Sequence, residues 1–196
     1  MNNTNDDYAY KAIEEQLSNP LNQFISNSRE VVDVKIMKGY KSKPEYSNDG
    51  DSGMDVRADL SLIDIHDIKV YGEYSGNKKN GKLESITLMP NSRMLIPTGI
   101  KMAIPKGFEV QARPRSGLAL KHGITLTNCV GTIDSGYRGD CGFILHNTGH
   151  EPFTINDGDR IGQFVLMRVA QINWVEAESL EDSDRGDGGY GHTGVK

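Results

Sequence analysis

Short runs of alternating or β-branched apolar residues, separated by turns rich in glycine and proline, make up most of the chain after residue 30. The segment VVDVKIM at 31–37 alternates apolar and polar residues, which is typical of a strand with one buried face. An Asn-Gly pair at 80–81 lies between two further alternating runs and favours a tight β-hairpin turn. No long helical period follows residue 30, so the spacing predicts an all-β sandwich, barrel or jelly roll.

Both ends of the chain differ from this pattern. Residues 1–30 carry apolar side chains near a helical period, which predicts a short N-terminal amphipathic helix that Pro20 bounds or breaks. This extension packs on the rest of the protein, binds a partner or is partly disordered, and the sequence leaves these alternatives open. Residues 183–196 are polar and glycine-rich, so we expect a flexible C-terminal arm. The core is therefore predicted at 31–182, with an inserted hairpin near 64–88 that projects from it.

Length and charge limit the classes of protein that fit. One domain is expected from 196 residues, and a net charge of −5 argues against a nucleic-acid partner held through its phosphates. No apolar run approaches the length of a membrane span, and the N-terminus lacks the features of a secretory signal. We therefore expect no membrane partner and a cytoplasmic location, which would be the host cytoplasm for a viral protein.

The two cysteines, Cys129 and Cys141, have no CxxC motif or Cys/His cluster beside them. This pattern predicts reduced, packed thiols rather than a disulfide or a zinc site.

Two stretches carry side chains suited to chemistry. Arg115, Ser116 and Gly117 stand in succession, and a guanidinium fork, a hydroxyl and a residue without a Cβ can together bind an anion closely. Further along, Asp134 and Tyr137 lie in a glycine-rich turn, where a carboxylate and an aromatic ring can hold and attack a ligand. Taken singly, each feature is more often an ordinary turn or a packing residue. Their occurrence in a fixed order with other motifs is what favours a functional site.

Five short motifs follow one another along the chain: GMDVRADL (53–60), PRSGLALKHGI (114–124), NCVGTIDSGYRGD (128–140), DGDRIGQFVL (157–166) and RGDGGYGHTG (185–194). In this order they resemble the trimeric deoxyuridine triphosphatase (dUTPase) family, over roughly residues 31–194. The resemblance implies a jelly-roll-like distorted β-barrel that forms a homotrimer with shared active sites. It also implies Mg²⁺-dependent hydrolysis of dUTP to dUMP and pyrophosphate, which keeps uracil out of DNA and supplies dUMP for thymidylate synthesis.

The resemblance also implies a role for individual residues. Asp134 is expected to activate a water that attacks the α-phosphate, and Asp55 to contact Mg²⁺ through water, although an Asp on the polar face of a strand is the plain alternative. Tyr137 is expected to lie against the deoxyribose and exclude a 2′-hydroxyl, and Arg160 to support the site or form a structural ion pair. A short helix is expected near 117–122. The other residues expected to bind substrate are Arg115, Ser116, Gly117, Asn128, Thr132, Ile133, Gly142, Gln163, Arg185, Tyr190, His192 and Thr193.

Three positions depart from the family pattern. Gly136 stands where the family often has Asp, Gly162 where it usually has Ala, and Tyr190 where it usually has Phe. Each change keeps a turn residue, a small residue or an aromatic ring, so none removes an expected function.

Two other classes of protein share this scaffold. A dCTP deaminase would need a proton-relay Glu in the hairpin region, and no Glu occurs between residues 128 and 147. A non-catalytic protein would use the scaffold, the hairpin or residues 1–30 to bind a partner. The intact motifs argue against lost catalysis but not against an added binding role.

Overall fold

The computed structural model describes residues 30–64, 66–183 and Gly186. Within these residues strands dominate, with one short α-helix and one 3₁₀ turn at Leu60–Leu62. In chain order the elements are β1 (Lys35–Ile36), β2 (Met54–Arg57), β3 (Val70–Tyr71), β4 (Tyr74–Lys79), β5 (Lys82–Leu88), β6 (Arg93–Ile96), β7 (Met102–Ala103), β8 (Phe108–Arg113), α1 (Ser116–His122), β9 (Ile124–Leu126), β10 (Gly131–Ile133), β11 (Phe143–Asn147), β12 (Phe153–Asn156) and β13 (Arg160–Arg168). The predicted all-β class is confirmed.

The strands form small antiparallel sheets whose neighbours are far apart in sequence. One four-stranded sheet has the order β10-β8-β13-β2, and a second has the order β3-β6-β11-β9. A three-stranded sheet, β12-β5-β4, and the short pair β1-β7 complete the fold. Because the first sheet contains strands from four of the predicted motif regions or their flanks, it is the element that positions the site.

The core lies between the two four-stranded sheets. Phe143 of β11 and Phe164 of β13 are both 1% exposed, and their rings stack with centroids 5.3 Å apart. Gly162 faces the same contact, because a Cβ at this position would overlap the Phe143 ring. Aromatic pairs of this kind stabilise a core by about 0.5–1.5 kcal/mol beyond their buried area. The small residue at 162 is therefore required by packing between the sheets.

The predicted hairpin at 80–81 is present. Asn80 and Gly81 both have positive φ, 53° and 77°, which matches the turn that joins β4 to β5 with the twist that a hairpin needs. The hairpin does not project as a whole, however. Ile86 and Leu88 of β5 are fully buried and β5 also pairs with β12, so only β4 and the turn are exposed.

The predicted first strand is shorter than expected. Residues 31–36 alternate between exposed and partly buried, as the sequence indicated, but only Lys35–Ile36 pairs as a strand. Its partner β7 is itself two residues long, so residues 31–34 have no strand beside them among the described residues. The predicted short helix at 117–122 is confirmed as α1.

The predicted N-terminal helix lies outside the described residues, as does nearly all of the C-terminal arm. Across the described part of the chain, no helix combines the length and apolar character needed to cross a membrane.

Candidate functional site

The segment 114–117 connects β8 to α1 and presents an open surface. Arg115 precedes the helix in an extended conformation, with φ −92° and ψ 130°, and no side chain caps the helix N-terminus. Ser116 and Gly117 are exposed, and a Cβ at Gly117 would meet no atom within 4 Å. The predicted hydroxyl and the predicted glycine therefore lie side by side with room for a ligand.

Asp55 lies between two arginines from different motifs. One carboxylate oxygen accepts a hydrogen bond from Arg115 Nε at 2.9 Å, and the other accepts one from Arg160 Nη1 at 2.8 Å. The Asp55 side chain is 22% exposed, Arg115 30% and Arg160 46%, so the group is partly shielded yet reachable from solvent. Strand pairing brings it together, because Asp55 of β2 is opposite Gln163 of β13. The arrangement orients two guanidinium groups at one edge of the sheet.

The residues around Asp55 are compatible with a magnesium ion contacted through water. Within the described residues, no group of three or more His, Cys, Asp or Glu side chains comes together as a metal site. Each Asp55 oxygen accepts one hydrogen bond from an arginine and keeps a second lone pair. That lone pair can accept a hydrogen bond from a water bound to the ion, which is the contact expected for Asp55. Magnesium commonly takes one or two carboxylates with substrate phosphates and retained waters, so a single Asp is chemically sufficient.

Gln163 joins three of the motifs. Its Nε2 donates to the carbonyl oxygen of Pro114 at 2.9 Å, next to the segment 114–117. Its side chain also lies against Gly53, where any Cβ would overlap it. In the structure, the Gln163 side chain therefore connects β13 with the residue before β2 and with the segment 114–117. The substrate contact expected from the resemblance stays a prediction.

The loop 134–140, which follows β10, is organised by its own polar groups. The backbone N–H of Tyr137 donates to the carbonyl of Asp134 at 3.0 Å, and the Tyr137 hydroxyl donates to the carbonyl of Asp140 at 2.9 Å. Arg138 Nη1 donates to the carbonyls of Ser135 and Tyr137, both at 2.7 Å. The Asp134 side chain is exposed, and among the described residues no other side chain pairs with it. Asp134 is therefore presented to solvent on an ordered loop.

The other residues expected near the base surround this loop. Asn128 and Thr132 are exposed, whereas Ile133 is 8% exposed and belongs to the core. Asn128 lies near Gly131, since a Cβ there would be 3.2 Å from Asn128 Nδ2. Gly142 has a packing role within the chain, because a Cβ there would come 3.1 Å from the Ile96 carbonyl oxygen and 2.9 Å from Leu95 Cδ1.

Within this chain, the two halves of the predicted site, the loop 134–140 and the segment 114–117, lie apart. Ile133 is opposite Val110 in the β10–β8 ladder, so Asp134 lies beside the start of β8, whereas Arg115 follows its end. At about 3.3 Å per residue, this strand separates the two by roughly 20 Å. Asp134 and Tyr137 are thus not brought next to Arg115 within this chain.

Sequence reasoning missed two residues of the loop, Arg138 and Asp140. Asp140 Oδ2 accepts a hydrogen bond from the Thr98 backbone N–H at 3.2 Å, and Oδ1 is buried with no hydrogen-bond partner among the described residues. Burial raises the pKa of Asp140, against the backbone hydrogen bonds from Thr98 and Gly99 and the charge of Lys101. The sequence signal for Asp140 was a carboxylate inside the third motif. Its hydrogen-bond partner, Thr98, lies 42 residues earlier, so the pattern of the motif did not predict the contact.

Both cysteines are free, but only one is a packed thiol. Cys141 is 2% exposed, and burial, followed by the charge of Asp140, raises the pKa of its thiol to about 12. Cys129 is exposed, so the expectation of a packing role for it was wrong. It lies in the turn between β9 and β10, where residues 127–130 are all exposed.

Arg185, Tyr190, His192 and Thr193 lie outside the described residues, so the structure does not test their expected contacts.

Comparison with known proteins gives a consistent family. Residues 82–194 match the dUTPase family model. The chain is 47% identical over 164 residues to the deoxyuridine 5′-triphosphate nucleotidohydrolase of Fusobacterium nucleatum, covering 83% of this chain and 97% of that relative. It is 48% identical over 162 residues to the protein of the same name from Finegoldia magna, covering 82% and 98%.

Solved structures similar to this chain include dUTPases from phages of Staphylococcus. A mutant of the bacteriophage 80alpha dUTPase with dUpNHpp aligns with a TM-score of 0.65 at 20% identity, covering 84% of this chain and all of that one. The dUTPase from phage phi11 of S. aureus aligns with a TM-score of 0.59 at 18% identity, covering 78% and 100%. These likenesses confirm the predicted jelly-roll-like β fold, and the sequence matches settle the family: the chain belongs to the dUTPase family.

Proposed function

We propose that this protein hydrolyses dUTP to dUMP and pyrophosphate. One observation carries the proposal: the match to a dUTP nucleotidohydrolase at 47% identity extends along 97% of that relative, with all five motifs present. The geometry supports it, because an exposed carboxylate on an ordered loop and a pair of oriented arginines are the two parts that the reaction needs.

In this mechanism the phosphates bind at the segment 114–117. Arg115 and the Ser116 hydroxyl contact phosphate oxygens, and Gly117 leaves space for them to approach the backbone. Asp55 fixes the direction of the Arg115 and Arg160 guanidinium groups, so little ordering is needed when the triphosphate arrives. Gln163 keeps this segment in place through the Pro114 carbonyl.

Asp134 acts on the attacking water. Its carboxylate accepts a proton as the water oxygen bonds to the α-phosphorus, and the bond from that phosphorus to the bridging oxygen breaks. The products are dUMP and pyrophosphate, so atoms and charge balance without a further reactant. Asp55 would hold a magnesium ion through water, and the ion would offset charge on the triphosphate.

The base and sugar bind against the loop 134–140 and its neighbours. Asn128 and the backbone of Thr132, Ile133 and Gly142 read the edge of uracil, and Tyr137 lies where a 2′-hydroxyl would project. From the C-terminal arm, Arg185 pairs with the γ-phosphate, Tyr190 stacks on the base, and His192 and Thr193 add phosphate contacts.

A homotrimer with shared sites fits the distance between the two halves. Because Asp134 and Arg115 lie at opposite ends of β8, a complete site requires the loop 134–140 of one copy to meet the segment 114–117 of another. The reaction would take place in the cytoplasm, where nucleotide precursors are used.

A substrate panel tests the proposal. Purified protein is mixed separately with dUTP, dCTP, dTTP and UTP in the presence of Mg²⁺, and pyrophosphate and ammonia are measured. We expect one pyrophosphate per dUTP consumed and little release from the others. Ammonia from dCTP would instead identify a deaminase, and no release from any nucleotide would identify a protein that binds without catalysis.

A further inference from the structure

Among the described residues, the Tyr137 hydroxyl has one hydrogen-bond partner, the backbone of Asp140. Its hydroxyl donates to the Asp140 carbonyl at 2.9 Å, and its ring covers Gly139, where a Cβ would overlap the phenol. The side chain is otherwise 46% exposed. The position of the ring therefore follows the position of the Asp140 backbone.

The Asp140 side chain connects the end of the loop 134–140 to the turn 97–101 through hydrogen bonds. Its Oδ2 accepts from Thr98 N at 3.2 Å, and the Gly99 backbone also hydrogen-bonds the carboxyl. Next to it, Cys141 N donates to Ile100 O at 2.8 Å, and Thr98 Oγ1 donates to Cys141 O at 3.0 Å. Thr98 is 2% exposed and Ile100 is fully buried, so this part of the turn belongs to the interior of the protein. The carboxyl connects this buried junction to the C-terminal end of the loop 134–140.

Holding a carboxyl here has an energetic cost. Oδ1 is buried without a hydrogen-bond partner among the described residues, and burial raises the pKa of Asp140. Two charged groups face it across the junction: Asp59 acts in the same direction as burial, and Lys101 opposes it. A buried polar atom left unpaired destabilises the folded state, so its presence in a native structure calls for an explanation.

We propose that Asp140 is a positioning residue for sugar discrimination: by bonding the loop 134–140 to the turn 97–101, its side chain holds the Tyr137 ring where it excludes a 2′-hydroxyl. The inference rests on the proposed function, since it takes the role of Tyr137 from there. Asp140 itself need not touch the nucleotide. Loss of the side-chain oxygen frees the Asp140 carbonyl to shift, and the ring shifts with it.

The test compares Asp140→Ala with Asp140→Asn, whose amide oxygen can accept the same backbone N–H groups. Steady-state kcat and KM are measured for dUTP and for UTP, with melting temperatures measured in parallel. In Asp140→Ala we expect the preference for dUTP over UTP in kcat/KM to fall about fivefold to tenfold, the equivalent of one hydrogen bond. The loss should come mainly from a higher KM for dUTP and faster use of UTP, and Asp140→Asn should restore the preference.

Tyr137→Phe provides a second variant that keeps the loop sequence and removes only the hydroxyl bonded to Asp140. It should also lose part of the preference, and it decides the question if Asp140→Ala does not fold. A preference unchanged in folded Asp140→Ala or in Tyr137→Phe overturns the inference, as does a purely structural result in which the melting temperature falls but the preference stays. Wild-type protein that turns over neither nucleotide overturns the proposed function as well, whereas intact wild-type activity with an unaffected variant overturns only the role of Asp140.

Discussion

Asp134 and Asp140 belong to one loop, yet their surroundings give them different chemistry. Asp134 is exposed and has no side-chain partner among the described residues, so its oxygens are available to a water molecule. Asp140 bonds the backbone of Thr98 and has one oxygen buried without a partner. At the scale of single residues, one carboxyl is therefore suited to proton transfer and the other to holding structure.

Replacing Asp134 with Asn should stop turnover while leaving binding intact. The amide keeps the size of the side chain but cannot accept the proton of the attacking water, so we expect kcat to fall by about 10²–10⁴-fold. The dissociation constant of a non-hydrolysable dUTP analogue, measured by calorimetry, should stay near the wild-type value. Turnover close to normal in this variant would remove Asp134 from the catalytic role.

Replacing Asp140 with Asn should change the pH dependence of stability. Because the pKa of Asp140 is raised in the folded state, the native protein binds this proton more tightly than the unfolded chain does. The stabilisation is fully present below the ordinary Asp pKa of about 3.9 and is lost as pH rises through the raised folded value. The variant avoids burying a charge, so its melting temperature should exceed that of wild type near pH 7.

Melting curves recorded across the acid range check the sign of this effect. The advantage of Asp140→Asn should shrink as the pH falls through the raised folded value and should reach its minimum below about 4, where the carboxyl is protonated in both states. An advantage that is constant with pH, or that grows in acid, would contradict the assignment of the raised pKa to this carboxyl.

At the scale of secondary-structure elements, the C-terminal end of α1 makes a specific contact with another part of the chain. The helix has no side-chain cap at its start and ends at Gly123, which has φ 67°. The turn after β11 packs on that end: Thr148 N donates to Gly123 O at 2.9 Å, and a Cβ at Gly123 would lie 2.6 Å from Gly149 N. This contact fixes the direction in which α1 leaves the segment 114–117.

Gly123→Ala should therefore be more harmful than a change at a matched glycine. Gly107 also has positive φ, 84°, but a Cβ there would meet no atom within 4 Å. We expect Gly107→Ala to cost about 1–2 kcal/mol from the left-handed backbone alone, and Gly123→Ala to cost roughly 1–3 kcal/mol more from overlap with Gly149. Urea unfolding of both variants measures the difference, and equal losses would show that the contact with Gly149 is relieved cheaply.

Sequence patterns predicted local elements better than the contacts between them. The Asn80–Gly81 turn followed from its turn residues, which act over a few residues, and α1 followed from the family resemblance of the second motif. The truncation of the first strand could not be predicted, because it depends on the two-residue length of its partner β7. Asp55 was predicted as a carboxylate of the site, but its hydrogen bonds to two arginines were not. The contact with Arg160 depends on the pairing of β2 with β13, which are far apart in sequence.

At the scale of the whole molecule, the two halves of the site lie at opposite ends of β8. Gly131–Ile133 pairs with Val110–Ala112 in antiparallel register, so Asp134 lies beside the start of β8, and Arg115 lies just beyond its end. Apolar side chains that follow β13, among them Ile172, Trp174 and Val175, are also exposed in the single chain. Activity is therefore expected to be a property of the assembly.

Mixing two inactive variants tests this expectation directly. Arg115→Ala and Asp134→Asn each lack one half of the site, so neither alone should hydrolyse dUTP at a useful rate. Co-expressed or refolded together in equal amounts, random assembly should leave about one quarter of the sites with both halves intact. Pyrophosphate release by the mixture should reach that fraction of wild type, with a mixture of either variant and itself as control. No recovery would indicate that each chain builds its own site.

The distance along β8 also bears on how such a protein fails in a mixed population. A polypeptide damaged in both the segment 114–117 and the loop 134–140 would enter an assembly and spoil the pockets it shares with each neighbour. Defective copies would then act as poison subunits, and output would decline more steeply than the proportion of faulty chains.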